Sequence, residues 1–145
     1  MRDLISNNQF VRGANQTLSG VTPNASALID TRGFSGATVY LMTGAVTDAG
    51  TASGFTMKLQ HSDTTAADDF VDVPAAQKLG DDLTVTSDDD DNILVGGIGY
   101  VGIKRYVRAV VTGTTGTDAV VNILAHLGKP HRAPVTAVGA TTAAT

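Results

Sequence analysis

Several short stretches hold the residue types from which a site is built. His61, Ser62 and Asp63 set an imidazole, a hydroxyl and a carboxylate side by side. Nucleophilic acyl transfer uses those groups, but it needs them to converge in space with a third group orienting the base, and adjacency in sequence does not supply that. Asp88 to Asp91 offers four consecutive carboxylates between Ser87 and Asn92, oxygen ligands suited to a hard cation such as calcium. The alternating ligands, sixth-position Gly and closing Glu of an EF-hand loop are all missing, so a solvated acidic loop is expected. Gly97-Ile98-Gly99-Tyr100-Val101-Gly102 has the letters of a dinucleotide fingerprint. That motif needs a helix after it to meet the pyrophosphate, and here a strand pattern follows. These glycines are instead expected to permit a bulge or a close backbone approach. His126 and His131 are separated by Gly128 and Pro130, which break any shared helix face, and no Cys or third His completes a zinc site. The expectation is no enzyme, no cofactor and no metal.

Lys104, Arg105, Tyr106 and Arg108 form a small basic and aromatic cluster in an acidic chain. Such a cluster docks a partner carboxylate or pairs internally, with Asp72, Asp118 or another loop Asp. Arg105 and Arg108 lie on opposite faces of an extended strand, so at most one serves a given surface. The expected partner-contact residues are Phe10 and Arg12 near the N-terminus, Arg105 and Arg108 in this cluster, and Lys129, His131 and Arg132 near the C-terminus.

The element expected to organise the rest is one central strand from Ile98 to Thr112, with Ile103, Val107, Ala109 and Val111, and Arg105 as the one charged member of their set, alternating against Lys104, Tyr106, Arg108 and Val110. Its Val, Ile, Tyr and Thr suit a pleated, half-buried surface. Phe55 to His61 alternates strictly, Phe55, Met57 and Leu59 against Thr56, Lys58 and Gln60, which predicts a strand with one wet face. Asp118 to Leu127 alternates likewise and ends at Gly128. Ala37 to Thr43 has apolar residues on both sides, Val39 and Leu41 against Tyr40 and Met42, so both its faces are expected to be partly covered. Shorter strands are expected at Gln9 to Arg12, Ser26 to Asp30, Phe70 to Val73 and Leu83 to Thr86. Gly44 to Gly54 is expected to be a hairpin loop, and Ala75 to Leu79 at most a turn of helix. This gives an all-β, antiparallel β-sandwich of about eight short strands. Residues 1–20 are expected to form an N-terminal arm with a possible short strand, 21–128 the sandwich, and 129–145 an extended tail too poor in apolar side chains to fold alone.

Composition agrees with that class. The chain has 145 residues and no Cys, so burial or association must stabilise it without disulfides. All 14 acidic residues are Asp, and the abundance of Thr, Gly, Ala and Val speaks against long helices. A net charge of -4 leaves no basic stripe for phosphates, so no nucleic-acid partner is expected. No stretch approaches the roughly 20 apolar residues of a membrane span, and Met1 to Phe10 lacks the features of a secretory signal. The expectation is a soluble protein made in the cytoplasm, with no membrane partner.

Four segments together resemble a family of small head proteins of tailed bacteriophages that decorate or cement the capsid. They are Leu28-Ile29-Asp30-Thr31-Arg32-Gly33-Phe34, Lys58-Leu59-Gln60-His61-Ser62-Asp63, Ile98-Gly99-Tyr100-Val101-Gly102-Ile103-Lys104-Arg105-Tyr106-Val107-Arg108 and Leu127-Gly128-Lys129-Pro130-His131-Arg132-Ala133-Pro134-Val135. The likeness spans roughly Ser26 to Val135 in matching order and spacing. A jelly-roll cement protein of a Bordetella phage belongs to that family. The resemblance implies a jelly-roll sandwich, made in a bacterial host, that sits as a dimer or trimer on the outer capsid surface. There it bridges major capsid protein subunits without covalent bonds. Another head-completion or tail component shares the pattern, and a carbohydrate- or host-surface-binding sandwich is the alternative from a different class.

Overall fold

The computed structural model describes residues 4–132 and Val135. The start of the expected arm (1–3) and most of the expected tail (133–134 and 136–145) lie outside the described residues. In chain order the strands are β1 (Asn8–Ser19), β2 (Asn24–Ala25), β3 (Ile29–Asp30), β4 (Phe34–Asp48), β5 (Phe55–Ser62), β6 (Val71–Asp72), β7 (Lys78–Leu79), β8 (Leu83–Val85), β9 (Leu94–Tyr100), β10 (Tyr106–Thr112) and β11 (Asp118–Pro130). The only helical pieces among the described residues are three single 3-10 turns, at Ile5–Asn7, Ala67–Asp69 and Ala75–Gln77.

The strands form two antiparallel sheets in a sandwich-like arrangement. One has five strands in the order β1-β11-β4-β9-β7, and the other is built on β2-β10-β5-β6, with β3 also on β10 and β8 on β5. Alternation decides which side chains meet between the sheets. Val39 and Leu41 of β4, Ile98 of β9, and Val121, Ile123, Ala125 and Leu127 of β11 face Phe55, Met57 and Leu59 of β5 and Val107, Ala109 and Val111 of β10. All of these are buried. The predicted alternations of β5 and β11 therefore hold residue by residue.

The expected central strand does not exist as one element. Its first half ends as β9 in the five-stranded sheet, its second half begins as β10 in the other, and Val101 to Arg105 crosses between them. The crossing closes around Tyr100. The Tyr100 hydroxyl accepts from Lys104 N at 3.0 Å and also lies 3.3 Å from Lys104 O. A Cβ on Gly102 would overlap the phenol, so the chain can fold back there only with glycine. Strand propensity favours extended backbone on both sides of such a reversal and does not mark it.

Three further corrections concern length and number. Eleven strands are present among the described residues where about eight were expected. The strand expected near Gln9 to Arg12 is the twelve-residue β1, paired with β11 from Asn8↔Gly128 to Ser19↔Asp118. The expected hairpin loop from Gly44 is strand as far as Asp48, because β11 continues to pair with β4 there.

Candidate interaction surfaces

The outer side of the five-stranded sheet brings together residues far apart in sequence. Register sets Phe10 opposite His126, His126 opposite Thr38, and Thr38 opposite Gly99. The next row runs Arg12, Leu124, Tyr40 and Gly97, and beyond it Asn122 lies opposite Met42 and Met42 opposite Leu94. The two glycines are occupied from the side. A Cβ on Gly97 would come within 2.8 Å of the Tyr40 ring, and one on Gly99 within 3.2 Å of Leu79, so these two side chains lie over bare backbone. Close approach, the expected use of the glycines, is what they provide. Phe10 stacks on the His126 ring with centroids 4.7 Å apart, and His126 Nε2 is 2.6 Å from Asn8 Oδ1. Leu79 and Leu94 remain 65% and 61% exposed.

Three open depressions mark this face. One of about 470 Å³ lies among Arg12, Met42, Ile93, Leu94, Asn122 and Leu124. Another, about 440 Å³, lies among residues including Thr38, Leu79, Gly99, His126 and Lys129. The third, about 390 Å³, is lined by Leu4, Ile5, Asn8, Phe10 and His126. Of the expected contact residues, Phe10 and Arg12 stand on this face, and Lys129 lines the second of its depressions. Leu79, Leu94 and Leu124 were not among the expected contacts; the apolar residues on both sides of β11 signalled Leu124, whereas Leu79 and Leu94 lie on β7 and β9 and had no such local signal.

Arg105 and Arg108 are engaged within the chain. Arg105 lies in the crossing loop and forms a bidentate pair with Asp30, Nε to Oδ1 at 3.0 Å and Nη2 to Oδ2 at 2.8 Å. That pairing, together with the Arg32 backbone N–H, holds the Asp30 carboxyl below its usual range. Arg108 donates twice to Gln60 Oε1, at 2.9 and 2.8 Å, and lies 4.3 Å over the Phe70 ring. At the end of β11, Lys129 has φ 51°, His131 Nε2 is 3.0 Å from Ser35 Oγ, and Arg132 is exposed.

The sequence-adjacent His61, Ser62 and Asp63 do not assemble. His61 is buried with Nδ1 2.9 Å from the Tyr100 hydroxyl, whereas Ser62 Oγ accepts from Thr64 N at 3.0 Å. Burial, helped by Lys104, lowers the His61 pKa below its ordinary 6.5 although Asp63 opposes this; burial also raises that of Tyr100 above 10.0. The pair bridges the sheets, His61 on β5 and Tyr100 on β9.

The acidic loop covers an edge. β9 ends against β4 at Leu94↔Met42, which leaves the rest of β4 without a neighbour on that side. Ile93 O accepts from Thr43 N at 2.9 Å, Asn92 N donates to Gly44 O at 2.9 Å, and the Asp91 and Asp88 carboxylates accept from Val46 N and Ala49 N. No group of three or more His or Asp residues among those described could hold a metal ion.

No protein-family model matches the chain, and no curated protein matches its sequence. The expectation of a phage decoration protein is supported by neither comparison and rests on four sequence segments alone. Of these, Lys58 to Asp63 is β5 with its following turn, and the segment from Ile98 contains the sheet-crossing loop.

Proposed function

We propose that this chain is a structural, non-catalytic component of a tailed-phage head. On this reading it decorates the shell as a jelly-roll cement protein and bridges major capsid protein subunits. The supporting observation is the uncovered outer face of the five-stranded sheet, where Phe10, Tyr40, Met42, Leu79, Leu94 and Leu124 gather around Thr38, Asn122 and His126, with Arg12 as the one charged side chain in the rows. Large contiguous apolar patches on a folded protein mark contact surfaces. At ~4.8 Å between strands and ~3.3 Å per residue, five strands of which three run a dozen residues present roughly 20 by 40 Å. That is on the order of the 800 Å² per partner of a specific protein interface, enough to seat the face on a capsid subunit.

The test is rebinding to phage heads stripped of this chain. Wild-type protein should rebind and restore resistance to heat and osmotic shock, whereas a folded Leu79→Asp/Leu94→Asp variant should not. Wild-type protein that neither rebinds nor protects would overturn the proposal. Density for the chain at a portal or tail in a map of the particle would assign it instead to head completion or the tail. The Phe10–His126 stack beside Tyr40 also suits a sugar platform, and reproducible binding on a glycan array would favour that reading.

A further inference from the structure

The formal charges of this acidic chain are unevenly placed. Asp48 and Asp118 are register partners at one end of β4 and β11, and the Asp88 to Asp91 loop runs along the same end of β4. No described Lys or Arg pairs with any of these six; the four ion pairs among described residues use Asp72, Asp82, Asp63 and Asp30. Asp88, Asp91 and Asp48 each commit one oxygen to a backbone N–H, of Ala49, Val46 and Gly50. Asp89 is exposed, and neither it nor Asp90 has a side-chain partner among the described residues.

At the other end of β4, roughly 45 Å away at ~3.3 Å per residue over its length, lies an open depression of about 490 Å³. It is lined by Arg32, Gly33, Phe34, His131, Arg132 and Val135. Arg32 and Arg132 are both exposed, and neither guanidinium has an ion-pair partner among the described residues. Asp30, the nearest carboxylate to Arg32 in sequence, already has both oxygens on Arg105. Phe34 is half-buried and contributes an apolar side chain to the lining, while Arg guanidinium is the cation best shaped to take a carboxylate in two parallel hydrogen bonds.

We infer that this depression is a carboxylate-binding site whose occupant is the Asp88 to Asp91 loop of a second copy, so that the sandwiches join head to tail. The two surfaces are different patches of one chain, which makes the contact heterologous and able to close into a ring or run as a row. It uses neither the apolar face nor any phage partner, so it stands or falls separately from the head-decoration reading. Because the pairs are exposed, each contributes little and is screened by salt. The contact is therefore weak between free molecules and strengthens where copies are held side by side.

Sedimentation of the purified full chain alone tests this. Self-association should appear at about 10 mM salt, where the screening length is ~30 Å, and disappear near 1 M, where it is ~3 Å. Arg32→Glu/Arg132→Glu and Asp89→Lys/Asp90→Lys should each associate about tenfold more weakly or less, the loss of a few exposed pairs. An equal mixture of the two variants should recover association, since both the native and the reversed contacts are then complementary. Circular dichroism melts check that each variant folds. A wild-type chain that stays monomeric at low salt, variants that associate like wild type, or a mixture that stays apart would each overturn the inference. So would Arg variants that lose binding to stripped heads while self-association persists, because the depression would then serve another protein.

Discussion

The two sheets share one core but present opposite outer faces to solvent. On the six-stranded sheet the outward side chains bond to one another. Thr56 Oγ1 meets Thr84 Oγ1 at 2.9 Å, Lys58 Nζ and Gln60 Nε2 each donate to Asp72 at 2.8 Å, and Arg108 ties Gln60 to the Phe70 ring. On the five-stranded sheet the corresponding positions are Phe10, Leu124, Tyr40 and Met42, packed sideways but uncovered from above. Antiparallel sheets commonly bury one face and wet the other, and cross-strand polar pairs are how a wet face is stabilised. A face on which the Asn8–His126 bond stands beside Phe10, Leu124, Tyr40 and Met42 has less of that pairing and leaves apolar area for another surface to cover. The six-stranded outer face is tied together by its own side chains, and the five-stranded one keeps Phe10, Leu79 and Leu94 exposed.

The largest expected effect comes from cutting the link between the sheets. Tyr100→Phe removes the hydroxyl shared by His61 and Lys104, leaving buried polar groups of β5 and the crossing loop without a partner. Such a loss costs about 1–3 kcal/mol, read as a lower Tm. An unchanged Tm would show that the sheets are held together by apolar packing alone. Next, Arg108→Ala on the polar face should cost about 1–2 kcal/mol through its lost hydrogen bonds and its contact with Phe70. Leu79→Asp and Leu94→Asp on the apolar face should each change stability by only about 0.5 kcal/mol. Equal costs on both faces would erase the contrast.

Much of the sandwich was legible because alternation is a local property. The buried members of β5 and β11 follow from period two, whereas the two-sided apolar pattern of β4 led to the expectation that both its faces are partly covered; Val39 and Leu41 are fully buried, and Tyr40 and Met42 are half-buried by their strand neighbours with no described element over them. What local pattern does not carry is which strand belongs to which sheet. The run from Ile98 to Thr112 has uniform strand propensity, yet the chain changes sheets inside it where Lys104 closes on Tyr100. Partner choice is equally non-local: Arg105 had many aspartates to pair with, and its partner Asp30 lies 75 positions away. The acidic loop seemed merely solvated because nothing nearby announces that β9 stops short and leaves β4 N–H groups for Asp88 and Asp91. At the candidate surface, charge and chain ends pointed to Phe10 and Arg12 but passed over Leu79 and Leu94, whose exposure is set by pairing.

The smallest expected effect sharpens the polar side of the contrast. Lys58 and then Gln60 donate to Asp72, and these hydrogen bonds hold its carboxyl below the usual 3.8 despite partial burial. A folded-state pKa below the unfolded one means that the unfolded chain binds more protons in the interval between the two, so stability rises with pH across it. The Asp72 contribution is thus present above the unfolded value and is lost as pH falls through the lowered one. Both partners are substantially exposed, so Asp72→Asn should cost only about 0–1 kcal/mol at neutral pH, and less in high salt. Thermal melts of wild type and variant should converge as the solution is acidified below the ordinary Asp range. Curves that stay equally far apart from neutral to acid pH would mean that Asp72 acts through hydrogen-bond geometry rather than charge.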